Sequence, residues 1–454
     1  MTIDEIAGRL VETARRAMPD VQAEVVVSST ALALTRFANS MIHQNVADET
    51  VTAWLRLHVD GRTVLSSTTL MSPGALDDLV ARTAAAVRLA PADPKWPGLA
   101  PVAPAVAGST VDPAIVAATP DDRAHMVKAF VDAAGGLVTA GYCQTRHVTT
   151  AFANSVGQQL SGQFADVSFS GIAGSGSSDG LGRLAGVRLA DIDGATLGDR
   201  AARKARAGVD PIELPPGRYE VVLEPVAVFD ITSALAEYAF AGQFYVDGTS
   251  FLVPDEMQFD PAITIVDDPT AFGLPFDVEG TPCRPLPLVT EGRSGMPAHD
   301  RRTAAEVGVE STGHAMSTSD GPQPTSITLS PSASSADFDE VDGPAADADV
   351  TALVRSVRRG VLVTDHWYTR VLDPSTVVMT GLTRNGVWLI EDGEITRPVR
   401  NFRFTQSYPQ ALGPGAVLGI GQRAHAQPSG YMVAQFRVPA LRLASWNFTG
   451  GASG

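Results

Sequence analysis

The stretch Arg218-Tyr219-Glu220-Val221-Val222-Leu223-Glu224-Pro225, followed by Ile231 to Phe240, decides how this chain is read. The first part reads as a strand and the second as a helix-like continuation of it. No histidine occurs between His147 and His299, so this helix has no imidazole to offer in any register.

Outward from this unit the chain divides into three. Thr2-Ile3-Asp4-Glu5 reads as a capping box, and Ile3, Ile6, Leu10 and Ala14 recur at helical spacing. Strands are expected over Val21 to Ser28, Ala31 to Phe37, Thr52 to His58 and Thr63 to Ser67, the last two joined at Asp60-Gly61, with a helix over Ala75 to Leu89. Prolines 91, 94, 97, 101 and 104 mark a stiff linker or extended edge. A helix from Asp121 to Ala134 then precedes strands over Leu137 to Tyr142, Arg146 to Phe152 and Gln158 to Ile172, and a short basic helix over Leu197 to Ala207. After Pro215 short strands are expected at Ala262 to Val266, Val361 to Thr364, Thr376 to Thr380 and Val387 to Ile390, with a hairpin turn at Asp392-Gly393. Ser330 to Asp349 reads as a mobile loop and Val350 to Arg359 as a helix. The expectation is an α+β protein. It has an N-terminal α/β domain over 1–105, a meander-like central domain over 106–212 and a β-rich C-terminal domain over 213–454.

Composition limits the function classes. A length of 454 residues with 44% hydrophobic residues supports two or three cores. The net charge of −16 argues against nonspecific nucleic-acid binding, which rests on clustered Lys and Arg. The acidic start Met1-Thr2-Ile3-Asp4-Glu5 is unlike a secretory leader, and no apolar run reaches the ~20 residues that span a bilayer. A cytoplasmic protein without membrane contact is expected. Cys143 and Cys283, the only two cysteines, are widely separated and give no zinc-finger spacing and no disulfide framework; two reduced thiols are expected.

Several further segments share one family's pattern. They are Arg36-Phe37-Ala38-Asn39-Ser40 with Gln44-Asn45, Ala153-Asn154-Ser155-Val156-Gly157, Phe276-Asp277-Val278-Glu279-Gly280-Thr281-Pro282, Ser311-Thr312-Gly313, Gly360 to Thr364, and Leu389 to Glu394. In this order, and with the Arg218 to Phe240 unit, they resemble the TldD/PmbA family of metalloproteases. The active branch of that family carries His-Glu-x-x-x-His on the helix, where two imidazoles bind zinc and the Glu moves protons. Aligned from Leu223-Glu224-Pro225, this chain has Ser233, Ala234 and Tyr238 at those places. The family's late cysteine ligand has no counterpart after Cys283.

The resemblance therefore implies the PmbA (TldE) branch: a chain without metal that supports a zinc-bearing TldD-type subunit, completes its chamber and shapes a peptide cleft. On that partner a zinc-bound water would attack the peptide carbonyl. The alternative is a stand-alone homodimer that binds peptides or another ligand and performs no chemistry. A third option is an enzyme with a relocated site.

The remaining candidates are weighed on their residues. Glu237 alone is a weak metal ligand. Asp365-His366 invites a general-base role, but neighbours on a strand point to opposite faces. Asp277 and Glu279 would share one face of a strand, and holding backbone or an interface is their expected work. The resemblance places Thr312 and His314 near a substrate cleft. His299-Asp300-Arg301-Arg302 reads as a solvated charged loop, and Gly174 to Ser178 as a β-turn without phosphate-loop context. The third-domain strands and Phe276 to Pro282 are the first candidates for a partner surface.

Overall fold

The structure, a computed structural model, describes residues 1–316, 321–332, 348–429 and 435–451. Its first layer is built from alternation. Six strands, β1 (Gln22–Ala38), β2 (Met41–Val59), β3 (Arg62–Thr68), β4 (Val138–Asn154), β5 (Gln159–Gly174) and β6 (Asp179–Gly186), form one sheet in the order β3-β2-β1-β4-β5-β6. All its pairings are antiparallel.

Because side chains alternate between faces, Ala23, Val25 and Val27 of β1 enter a core with the helices Ile3–Ala17 and Pro73–Val87. Farther along, Phe37, Cys143, Val167 and Phe169 pack with the helices Pro120–Ala133 and Gly194–Ala207. The even positions Glu24, Val26, Ser28 and Thr30 face the other way, toward the C-terminal half. The capping box at Thr2/Glu5 forms as expected, and a second one, Thr119/Asp122, opens the Pro120 helix.

Two corrections concern strand lengths. Val21 to Ser28 and Ala31 to Phe37 are one strand, and so are Leu137 to Tyr142 and Arg146 to Phe152. The Ser28-Ser29-Thr30 run reads as a break, yet it continues the ladder because each of its residues has a partner in both β2 and β4. The pairing of β1 with β4 also joins the regions 1–105 and 106–212 in a single sheet. Between them the proline-rich stretch is pinned. Asn154 donates to the Ala100 carbonyl at 2.8 Å, and both guanidinium nitrogens of Arg302 reach Asp93 at 3.0 and 2.9 Å. The turns at Asp60-Gly61 and Asp392-Gly393 form with positive φ at all four residues.

In the C-terminal half Gly217–Leu223 lies between Arg359–Asp373, which runs parallel to it, and Leu441–Gly451, which runs antiparallel. The sheet continues from Leu441–Gly451 through Phe402–Ser407 and Val378–Glu391 to Glu394–Pro398. Of the expected strand Thr376 to Thr380, residues 378–380 belong to Val378–Glu391, as does all of Val387 to Ile390; Thr376 ends the 3-10 turn Pro374–Thr376. A second sheet of six short strands includes Ile265–Asp267, Ser326–Leu329 and Gln435–Val438. The helix Pro225–Ala234 buries Ala227, Val228 and Ile231 in the large core shared by the two sheets. Of the expected Ser330 to Asp349 loop, residues 333–347 lie outside the described residues, and a helix begins at Ala348.

One buried ion pair ties the halves together at the strand that opened the sequence argument. Lys204 of the Gly194–Ala207 helix is fully buried; its ammonium donates to Glu224, and to Thr364 Oγ1 at 3.2 Å.

Candidate functional site

The helix after Leu223 is α-helical to Ala234, and a single π-helical turn follows, Leu235–Ala239, with Phe240 N donating to Leu235 O at 2.9 Å. In a regular α-helix, positions five apart lie roughly 140° apart around the axis. One wide turn brings them toward a common face, and such turns recur at functional sites. Ser233 and Tyr238 accordingly line the same pocket, a cavity of ≈ 350 Å³ shared with Asp230, Ala234, Glu237 and Arg370.

A zinc ion does not fit these residues. The three motif positions hold a hydroxyl, a methyl group and a phenol, and zinc takes imidazole, thiolate or carboxylate. Burial, with Glu237 beside it, raises the Tyr238 hydroxyl well above its ordinary value, so it stays protonated. Asp230 is already committed: Tyr408 and Thr369 both donate their hydroxyls to it. Among the described residues no cluster of three His, Cys, Asp or Glu could hold a metal.

Asp365 and His366 are both buried on Arg359–Asp373 and have different neighbours. Asp365 accepts from Asn385 Nδ2 at 3.0 Å. His366 is packed against Phe404 and Trp446, with its Nδ1 3.5 Å from Asp230. The two do not orient one another.

A second cavity, again ≈ 350 Å³, lies between the even-numbered face of the N-terminal sheet and the segment 269–283. Asp277 and His314 both line it; Thr312 and Glu279 do not. Asp277 and Glu279 do not sit on a strand. They occupy a tight turn closed by the Phe276–Pro282 bridge, because Asp277 organises the backbone around itself. Its carboxylate accepts from the N–H groups of Glu279, Thr281 and Ala315 at 2.9, 2.9 and 3.0 Å. Gly280 is required there: its φ is +72°, and a Cβ would lie 2.2 Å from the Phe152 ring. Glu279 accepts from Arg301 N at 3.0 Å and from Arg56 at 3.3 Å.

Phe276 is buried with Val26, Phe152 and Leu160, so this turn is an interface within the chain, not the open partner surface expected of it. Burial pushes Asp277 up to about 7 and Glu24, which pairs with Arg56, up to about 8.

His314 presents its ring to the cavity with both nitrogens engaged. Nε2 donates to Asp267 at 2.6 Å, and Nδ1 lies 2.8 Å from Thr312 Oγ1. Thr312 Oγ1 also accepts from His299 N at 2.7 Å. This relay ties the 299 and 312 loops together and leaves no imidazole nitrogen free for a substrate. The expected solvated loop at His299 is a correction. His299 is fully buried, and Asp300 caps the helix Arg301–Val307, whose packing takes the segment out of water. Gly174 to Ser178 is the turn between β5 and β6, closed by Ser175 N to Ser178 O at 2.8 Å. Both cysteines are buried and free, and burial pushes Cys143 up to about 12.

Sequence reasoning missed Glu24, Trp54 and Arg56, and also the Asp230–Tyr408 contact. Each depends on residues far apart in the chain, and no local motif marks them.

Residues 216–450 match the model of the PmbA/TldA metallopeptidase C-terminal domain, which is more than half of the chain. A curated metalloprotease of Methanothermobacter thermautotrophicus is 26% identical over 309 residues. That match takes in 64% of this chain and 61% of the relative's length, so the chain spans less than two thirds of the relative. TldE from Thermococcus kodakarensis superposes with a TM-score of 0.85 at 18% identity, over 98% of this chain and all of that one. A Thermotoga maritima protein described as a candidate modulator of a DNA gyrase gives 0.82 at 17% identity, over 99% of this chain and all of that one. These two likenesses concern the fold. With its match over 216–450, and with the strand, helix and turn that carry the family's segments all in place, the chain belongs to the PmbA/TldD family of metallopeptidases and related proteins.

Proposed function

We propose that this chain is the non-zinc subunit of a TldD/TldE-type pair. It works in the cytoplasm on peptides, completes the chamber of a zinc-bearing partner and performs no hydrolysis itself. The observation that carries this reading is the Ser233–Tyr238 pocket: the π turn aligns the two motif positions on one cavity, and the donors are missing. Beside that pocket Trp367, Tyr368 and Leu372 are exposed on a C-terminal strand, a surface of the kind a partner covers. The alternative, a homodimer that binds ligands without chemistry, would use the same surface for self-association.

The test is co-expression with a TldD-type chain that carries the intact zinc motif, followed by sedimentation and metal analysis. A stable pair with roughly one zinc, lost when the partner's motif is removed and retained when Ser233 of this chain is changed, supports the reading. A chain that stays apart from such partners and forms its own dimer favours the alternative.

A further inference from the structure

The cavity between the N-terminal sheet and the Phe276 turn has a buried acidic side chain on its wall. Glu24 lines it and is 4% exposed. One of its oxygens, Oε1, accepts from Arg56; Oε2 has no hydrogen-bond partner among the described residues. The neighbouring carboxylates are in a different state. Asp277 accepts from three backbone N–H groups, and each oxygen of Glu279 has a donor. Arg56 and Asp277 line the cavity next to Glu24, and Val26, Trp54 and Phe276 form an apolar wall beside them. A carboxylate oxygen with no donor, next to an apolar wall, calls for a donor, and a cationic donor serves best.

We propose that this cavity binds a primary ammonium group carried on an apolar stem, with the charge on Glu24 and the stem against Trp54 and Phe276. That a peptide brings the ammonium, as its N-terminus or as a lysine side chain, rests on the function proposed above; the amine site itself does not. Arg56 from β2 and Arg301 from the Arg301–Val307 helix favour the ionised form of Glu24, while Asp277 and Glu279 from the turn oppose it. Burial outweighs them all and holds Glu24 up at about 8, so in the empty cavity it carries a proton at neutral pH. An arriving ammonium displaces that proton. Binding therefore releases one proton and tightens as the pH rises toward the pKa of Glu24.

The experiment is calorimetry of the full chain with n-pentylammonium, n-pentanol and pentanoate, in buffers of different ionisation enthalpy. Pentylammonium should bind with proton release, and roughly fiftyfold more tightly near pH 8 than near pH 6. Pentanol and pentanoate should bind at least tenfold more weakly. Glu24→Gln should lose at least tenfold toward pentylammonium. Trp54→Ala, which removes the apolar wall beside Glu24 and leaves the carboxylates alone, should also weaken binding and keeps the test valid should Glu24→Gln fold poorly.

Pentanol binding as tightly as pentylammonium, or wild-type affinity in both variants, overturns the proposal. Short peptides then separate the sources. Loss on N-acetylation assigns the α-amine, loss on replacing lysine by norleucine assigns the side chain, and binding indifferent to both overturns the peptide as bearer. None of these measurements needs the zinc-bearing partner, so they fail or succeed independently of the subunit reading.

Discussion

The pocket at Ser233 and the turn at Asp277 invert what their residues suggest. The helix carries a wide turn that brings positions 233 and 238 onto one pocket, and holds there groups that do not bind zinc. The turn is dense in carboxylates, the usual mark of acid–base or metal chemistry, and spends them on backbone N–H groups and on Arg56. Side-chain chemistry alone therefore mislocates function here. What matters is whether a buried polar group is already satisfied.

The comparison implies that the junctions between the halves carry stability and that the Ser233 pocket carries little. Lys204→Ala, which leaves Glu224 buried without its cation, should cost about 3–5 kcal/mol, read by urea denaturation. A loss under about 1 kcal/mol would show that the pair is not a joint.

Asp277→Ala should cost about 3 kcal/mol by freeing buried backbone donors. Ser233→Ala should stay within about 0.5 kcal/mol. Equal effects would dissolve the contrast between the two regions.

The buried carboxylates also give a signature in pH. Glu24 and Asp277 are raised to about 8 and about 7, so their contribution to stability is full below the unfolded carboxylate range and is lost as pH rises through those values. Between about pH 5 and about pH 8 the melting temperature of Glu24→Gln should fall less steeply than that of the wild type. Parallel slopes would mean that Glu24 is ionised throughout.

The smallest effect is expected from rebuilding the lost motif. Ser233→His, Ala234→Glu and Tyr238→His together should not yield an efficient peptidase. The late cysteine has no counterpart, and Asp230, one of the two carboxylates that line the pocket, is held by Tyr408 and Thr369. Zinc-dependent turnover by the triple variant in a peptide-cleavage assay would show that the pocket retains its supporting groups.

Local patterns were legible wherever one short segment carries the physics. The capping box at Thr2, the Asp-Gly turns and the strand and helix around Leu223 were all visible in the chain, because caps, turns and periodicity are set by near neighbours. Three features depended on tertiary structure. Long strands such as Gln22–Ala38 were read as pairs, since partners on both sides carry a polar run that looks like a break. His299 left the solvent only when the Arg301 helix packed over it. The cavity at Glu24 needed residue 24 and the 276–282 turn to meet across the two halves of the chain, and the burial that raises Glu24 exists only once both walls are in place.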